Sequence, residues 1–348
     1  MIDPNGNIST GPDEAALAAR ANGLGVMLAA LGLAFTLLLA PEPARAQFPP
    51  DSFTNLKVLP KDIESRALIN TMRGFARGLG VRCEFCHVGE AGQPLSSFDF
   101  AADDKATKRK AREMLKMVNG INTEHLANLE ERSDPAIAVT CATCHHGVSK
   151  PQTTQALLME AYQGGGIESA LAKYRELREE YYGTYAYDFS QSVLGDVAQQ
   201  LVGAGQLDDA VDVLALNLEL FPNSVLAQSA FALFSIEQTI LAEGVEAGIA
   251  SYHAHKNKFL PRAFHENMLN SIGYRLMLVH QRLPEAIGVF KLNVEIYPDA
   301  FNAYDSLGEA YMANDEKELA IKSYERSLEL NPANTNAVEM LKKIRSGG

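Results

Sequence analysis

Tyr304-Asp305-Ser306-Leu307-Gly308-Glu309-Ala310-Tyr311, followed by Ala320, Tyr324 and Pro332, decides the fold of the C-terminal half. Small residues at Gly308 and Ala320 let two helices approach, Tyr324 fills the space between hairpins and Pro332 ends the second helix. The spacing recurs upstream in Leu194, Ala198, Leu201, Gly205, Ala210, Leu214 and Pro222. It recurs again in Ala286, Phe290 and Pro298, with Ile272-Gly273 one place out of register, as a one-residue insertion in the turn produces. Between these copies, Val225 to Lys258 is a degenerate unit keeping Gly248 and Tyr252 at the small and aromatic positions.

A period near 34 residues with this pattern resembles the tetratricopeptide repeat. Gln155 to Tyr182 adds a helical hairpin around Gly164-Gly165-Gly166, and Asn334 to Arg345 reads as a capping helix with its basic residues late, where the helix dipole favours them. Residues 152–348 are therefore expected to form a short α-solenoid of about four units with flanking helices. Such a surface binds a peptide or another subunit; the plainer role is to buttress the rest of the chain.

The N-terminal half is decided by its cysteines. All four lie in two copies of one pattern, Cys83-Glu84-Phe85-Cys86-His87 and Cys141-Ala142-Thr143-Cys144-His145. Cys-x-x-Cys-His is the attachment pattern of a c-type haem, in which two thiols form thioethers to the vinyl groups and the histidine faces the iron. Two Cys-x-x-Cys pairs also suit a structural zinc, and a single pair a thiol redox motif. A histidine directly after each pair, with no cysteine left over, favours haem. The expectation is two covalent haems held by Cys83, Cys86, Cys141 and Cys144, with His87 and His145 as proximal ligands.

Gly23 to Ala40 is an uninterrupted apolar run followed by Ala44-Arg45-Ala46, a small-x-small site, so residues 1–46 read as a signal peptide cleaved before Gln47. The same run over 23–40 is long enough to serve as a retained membrane anchor, which is the alternative. Export implies a periplasmic or extracellular protein. The formal net charge is −12. Charge is near balance over residues 47–150, and the acidic excess falls in 151–348. An acidic chain without a basic stripe excludes nucleic acid as an expected partner. Pro151 closes a haem region of 47–151.

The sixth ligand of each iron decides between electron transfer and small-molecule chemistry. Leu68, Met72, Phe75 and Leu79 share a face of a helix that ends at Gly78 and Gly80, with Met72 eleven residues before Cys83. Asp103 or Asp104 can cap a second helix on which Met114, Met117, Ile121 and His125 share a face. Met72-x-x-Phe75-x-Arg77-Gly78-Leu79 aligns with Met114-x-x-Met117-x-Asn119-Gly120-Ile121. By that alignment Met72 is the sixth ligand of the first haem and Met114 that of the second, with Met117 and His125 as alternatives for the second. His146 points away. Arg73, Arg77, Arg82 and the basic run Lys105 to Arg112 are candidate partners of haem propionates, or a solvated helix face.

From about Asn70 to Pro151 the chain resembles the cytochrome subunit bound to photosynthetic reaction centres and its shorter relatives. The resemblance is carried by Gly80-Val81-Arg82-Cys83-Glu84-Phe85-Cys86-His87, by Lys116-Met117-Val118-Asn119-Gly120-Ile121-Asn122, and by Val139-Thr140-Cys141-Ala142-Thr143-Cys144-His145. It implies a helical multihaem electron donor whose methionine ligand maps onto Met72, and a chain equivalent to the second half of a four-haem subunit. Two positions depart from the family. A methionine stands at 114, where the family's last haem unit usually takes its sixth ligand from a histidine of the absent first half, and His125 replaces a usual aromatic. The expected fold is thus all-α, a helical dihaem c-type cytochrome domain followed by a tetratricopeptide-repeat α-solenoid. The expected function is electron transfer to redox partner proteins, without enzymatic chemistry, the solenoid providing docking or self-assembly. The alternatives are a dihaem peroxidase with one open haem, a subunit of an extracellular cytochrome filament, and a donor associated with a reaction centre.

Overall fold

The computed structural model describes Phe48 and residues 52–346; the signal or anchor read over 1–46 lies outside them. Among the described residues the regular structure is helical, apart from an isolated antiparallel bridge between Val88 and Asp99. Two compact units form, one from residues up to Leu68 with Glu84–Lys110, the other from Ile69–Cys83 with Ala111 onward.

In the first unit the chain is organised by polar side chains clasping backbone. Asp99 accepts from the amides of Ala101 and Ala102 at 2.9 and 2.8 Å, and its own amide donates to Val88 O at 2.9 Å. Helix α1 (Ser65–Leu79) begins in this unit, with Leu68 buried. Helix α2 (Ala106–Gly120) starts one residue after Lys105, so neither Asp103 nor Asp104 is its N-cap. Asp103 instead pairs with Lys57 at 2.6 Å and Lys108 at 3.2 Å.

The second unit holds the rest of α1 and α2, a five-residue helix α3 (Cys141–His145) and the solenoid. Its hairpins are α5 (Gln191–Gly203) with α6 (Leu207–Leu220), α7 (Val225–Glu243) with α8 (Val245–Lys258), α9 (Glu266–Tyr274) with α10 (Leu283–Ile296), and α11 (Phe301–Ala313) with α12 (Lys317–Leu330). They are preceded by α4 (Thr154–Tyr181) and closed by α13 (Thr335–Arg345), whose N-cap Asn334 accepts from Ala337 N. The four units and the cap match the repeats read from the sequence. The expected hairpin around Gly164 is a helical run whose backbone leaves helical geometry at Gly165 and Gly166. Leu158 is buried before the break, and Ala170, Tyr174 and Leu177 after it.

The packing logic of the repeat is visible atom by atom. A Cβ on Gly308 would stand 2.8 Å from the buried Tyr324 ring, and one on Gly273 2.5 Å from the buried Phe290 ring. A fully buried apolar side chain such as Phe290 contributes on the order of 1.5–3 kcal/mol. Repeats also share a hydrogen bond from the second helix to the start of the first: Asn217 to Gln191 O, Asn293 to Glu266 O, and Ser327 to Phe301 O, at 3.0, 3.2 and 2.9 Å. The one-residue insertion expected after Gly273 is a π-helical turn over Arg275–Val279, closed by His280 N on Arg275 O at 3.0 Å. A π-turn is how a helix absorbs one extra residue without losing its hydrogen bonding. Helix α7 is apolar and long enough to cross a membrane by length and composition. Here it buries Ala232, Ile236 and Ile240 in the solenoid core with Tyr252 and Leu269.

Candidate haem-binding sites

The second attachment motif is a self-contained helical turn. Thr140 has extended backbone and forms a capping box with Thr143, each side chain meeting the other residue's amide. That box starts α3 at Cys141, and His146, with left-handed φ of 50°, ends it. Within one turn, Cys141, Cys144 and His145 stand at i, i+3 and i+4, which places all three on one helix face. His145 Nδ1 lies 2.9 Å from Val148 O. With that nitrogen donating, Nε2 carries the lone pair, so the ring is held in the tautomer that binds a metal. His146 Nε2 turns back onto Thr143 O at 2.8 Å, and its side chain is exposed. Burial pushes the Cys141 thiol above its ordinary value, with the Cys144 charge adding to the rise and its own backbone hydrogen bond opposing it.

The turn is locked to the end of α1 inside the same unit. Gly80 adopts a φ of +64°, and a Cβ there would fall 1.8 Å from Gly147 O. Gly147 N donates to Gly78 O at 3.0 Å, and a Cβ on Gly78 would meet Ala142 N at 3.0 Å and Cys141 Cβ at 3.2 Å. At Gly80 backbone therefore lies against backbone, which only glycine permits there, while Gly78 is tightly approached. On the far side, Asn122 clasps both backbone groups of Val139, donating to its carbonyl at 2.8 Å and accepting from its amide at 2.7 Å. This amide clamp ties the end of the α2 region to the residue two before Cys141.

The first motif is held differently. Its opening, Cys83–Phe85, is a single 3-10 turn. Lys105 donates to Glu84 O and Thr107 to Phe85 O, so the start of α2 grips the peptide units between the two cysteines. Phe100 sets its ring edge-on to His87, with centroids 4.9 Å apart. It stacks on Phe98 at 5.6 Å and meets Phe48 at 5.5 Å. Of the basic run offered to propionates, Lys105, Lys108 and Arg109 are engaged with backbone carbonyls.

Met72 lies half-buried on α1. Met114 and Met117 lie on α2 at i and i+3, 48% and 49% exposed, so two thioethers are presented on adjoining positions of one face. The stripe expected to run on to His125 stops at Ile121. There the helix widens into a π-turn over Ile121–His125, after which side chains leave the 3.6-residue register. His125 is exposed at the end of that turn. No disulfide joins the cysteines of either motif. Thiols and an imidazole on one face of α3, a fixed His145 tautomer and soft thioethers on α2 fit a covalently held haem iron. Sequence reasoning gave no role to Asn122, Thr140, Thr143 and Phe100, and it offered Lys108 to propionates or solvent where the structure sets it on backbone carbonyls. The Thr-x-x-Thr spacing around Cys141 is the one signal that a capping-box search could have found.

The site and the fold define a class: a helical segment bearing two Cys-x-x-Cys-His motifs, followed by a tetratricopeptide-type solenoid. Residues 39–197 match the family model of the photosynthetic reaction centre cytochrome C subunit. The family's haem is covalently bound. No curated protein matches the chain in sequence. Solved structures similar to it include MamA, 16% identical over 51% of this chain and 90% of that one, with a TM-score of 0.29. MamA from residue 41 to its end, from Desulfovibrio magneticus RS-1, is 21% identical over 52% and 95%, with a TM-score of 0.28. The first tetratricopeptide domain of Spaghetti (RPAP3), bound to an HSP90 peptide, is 22% identical over 45% and 91%, with a TM-score of 0.23.

Proposed function

We propose that the protein is an exported dihaem c-type cytochrome that carries electrons between partner proteins, with the solenoid docking it to them or to copies of itself. The observation that carries this reading is the α3 turn, which sets two thiols and a tautomer-fixed histidine on one face. The same pentapeptide pattern recurs at Cys83–His87. When bound, each haem supplies a one-electron iron couple. Cys83, Cys86, Cys141 and Cys144 hold the two groups covalently, and His87 and His145 are the proximal ligands. Met72 is the sixth ligand at the first iron. Met114 serves at the second, with Met117 and His125 as the alternatives. With those ligands in place both faces of each iron would be closed to small molecules, and thioether ligation would raise the potentials. The Val148 carbonyl keeps His145 from rotating, so little reorganises when charge is gained or lost.

Intact-mass measurement of the purified holoprotein tests haem number and mature N-terminus together. Two haem additions on a chain beginning at Gln47 are expected, and fewer additions overturn the dihaem reading. Near-infrared spectra then test the ligands, since absence of any methionine-to-iron band sinks both Met72 and Met114. A high-spin haem with peroxide turnover would establish the peroxidase alternative instead.

A further inference from the structure

Lys108 is the one lysine among the buried polar residues described, 9% exposed on the first turn of α2. Its ammonium sits in a cage of backbone oxygen, donating to Phe100 O at 2.9 Å, Ala101 O at 3.1 Å and Ala102 O at 2.7 Å, with Asp103 Oδ1 at 3.2 Å. Three successive carbonyls turn inward on one cation. Burying an ammonium is costly unless its donors are met, and here three carbonyls and a carboxylate meet them. Asp103 is shared with Lys57 at 2.6 Å, so its negative charge is divided between two ammonium groups rather than given to Lys108 alone.

What the cage holds is the wall behind the first proximal histidine. The loop begins at Asp99, bridged to Val88 beside His87, and its Phe100 lies edge-on to the His87 ring at 4.9 Å. Phe98 packs flat against the Gly89 backbone, where a Cβ would come within 2.4 Å of the ring. Resting on the haem reading above, we infer that Lys108 is a positioning residue for the first haem: it fixes the Phe98–Asp103 loop, and through Phe100 the plane of the His87 ring, and places a buried positive charge on that wall. The two consequences separate. Imidazole orientation sets the anisotropy of a low-spin ferric iron, whereas a fixed cation favours the reduced state, in which the iron carries one positive charge fewer.

The test uses dihaem holoprotein, with first-haem signals assigned from the Cys141→Ala, Cys144→Ala variant. Lys108→Met removes cage and charge: the first haem's potential falls and its EPR g-spread changes, while the second haem keeps both values. Lys108→Arg restores the potential. Phe100→Leu changes the g-spread while leaving the potential near wild type. Folded, doubly loaded Lys108→Met with wild-type first-haem potential and g-values overturns the inference. Should Lys108→Met fail to fold, Phe100→Leu decides, and an unmoved g-spread there overturns it equally. Wild-type protein without haem mass sinks the cytochrome reading; two haems with an unmoved first-haem signal sink this inference alone.

Discussion

Gly80→Ala puts the close approach between α1 and the second attachment turn to a quantitative test. The backbone at 80 has a φ of +64°, where an L side chain costs about 1–2 kcal/mol. The added Cβ would fall 1.8 Å from Gly147 O, and that atom is backbone, unable to rotate aside. Relief requires parting the two segments, which sacrifices the Gly147 N to Gly78 O bond of 3.0 Å, a net loss of about 1 kcal/mol. Together the substitution costs ~3 kcal/mol, placing it in the range where single changes carry an identifiable structural cause. Gly74→Ala is the control: it lies in the same helix with nothing within 4 Å of its Cβ, and should gain about 0.5–1 kcal/mol from helix propensity. Urea unfolding of holoprotein, followed by the haem visible band and by far-ultraviolet circular dichroism, reads both variants. With m-values of about 1–3 kcal/mol per molar, Gly80→Ala lowers the midpoint by ~1 M or more. Equal midpoints for the two variants would refute the reasoning.

Asn122→Ala leaves both backbone groups of Val139 without their clamp and should destabilise by about 2 kcal/mol, read by urea titration, with Asn122→Leu no better. In the solenoid, Glu237 is fully buried between Arg275 Nε at 2.7 Å and His280 Nε2 at 2.6 Å. Arg275→Met leaves that buried carboxylate with His280 alone, and a loss of ~3 kcal/mol in chemical denaturation is expected, an unchanged midpoint counting against the pair. Burial, and secondarily Lys258, lowers the pKa of His255 below 6.5. Above about pH 6.5 neither folded nor unfolded chain protonates there and no penalty exists; as pH falls below it the unfolded chain takes the proton first, so stability drops. His255→Gln should flatten the fall in melting temperature between roughly pH 7 and pH 5, and an identical slope would argue that other groups govern it.

The solenoid was readable from sequence because its packing depends on side-chain size: Gly308 beneath Tyr324 and Gly273 beneath Phe290 leave small and aromatic letters at a fixed spacing. Even the extra residue after Gly273 showed as a broken register, since a π-turn displaces everything beyond it by one place. The turns between helices were less legible. Gly205 and Gly244 advertise their left-handed backbone, but Gln281 and Asp315 do the same work at φ of 56° and 60° without a glycine to reveal it. In the haem region the candidate covalent and proximal residues were named by chemistry alone. What stayed hidden was whatever works through main-chain atoms. Lys108 and Lys105 look like any surface lysine in a basic run until the carbonyls that face them are known. The π-turn after Gly120 has no residue signature either, so the stripe from Met114 to His125 looked continuous.

The two attachment motifs differ in where their bracing side chains lie. Cys141–His145 carries its own cap in Thr140 and Thr143, so the side chains that bound the turn lie within it or beside it. Cys83–Phe85 is gripped by Lys105 and Thr107, some twenty residues farther along. On the dihaem reading proposed above, the leading motif depends on side chains some twenty residues farther along while the trailing motif is capped from within, so the two would pose different recognition problems to whatever attaches haem.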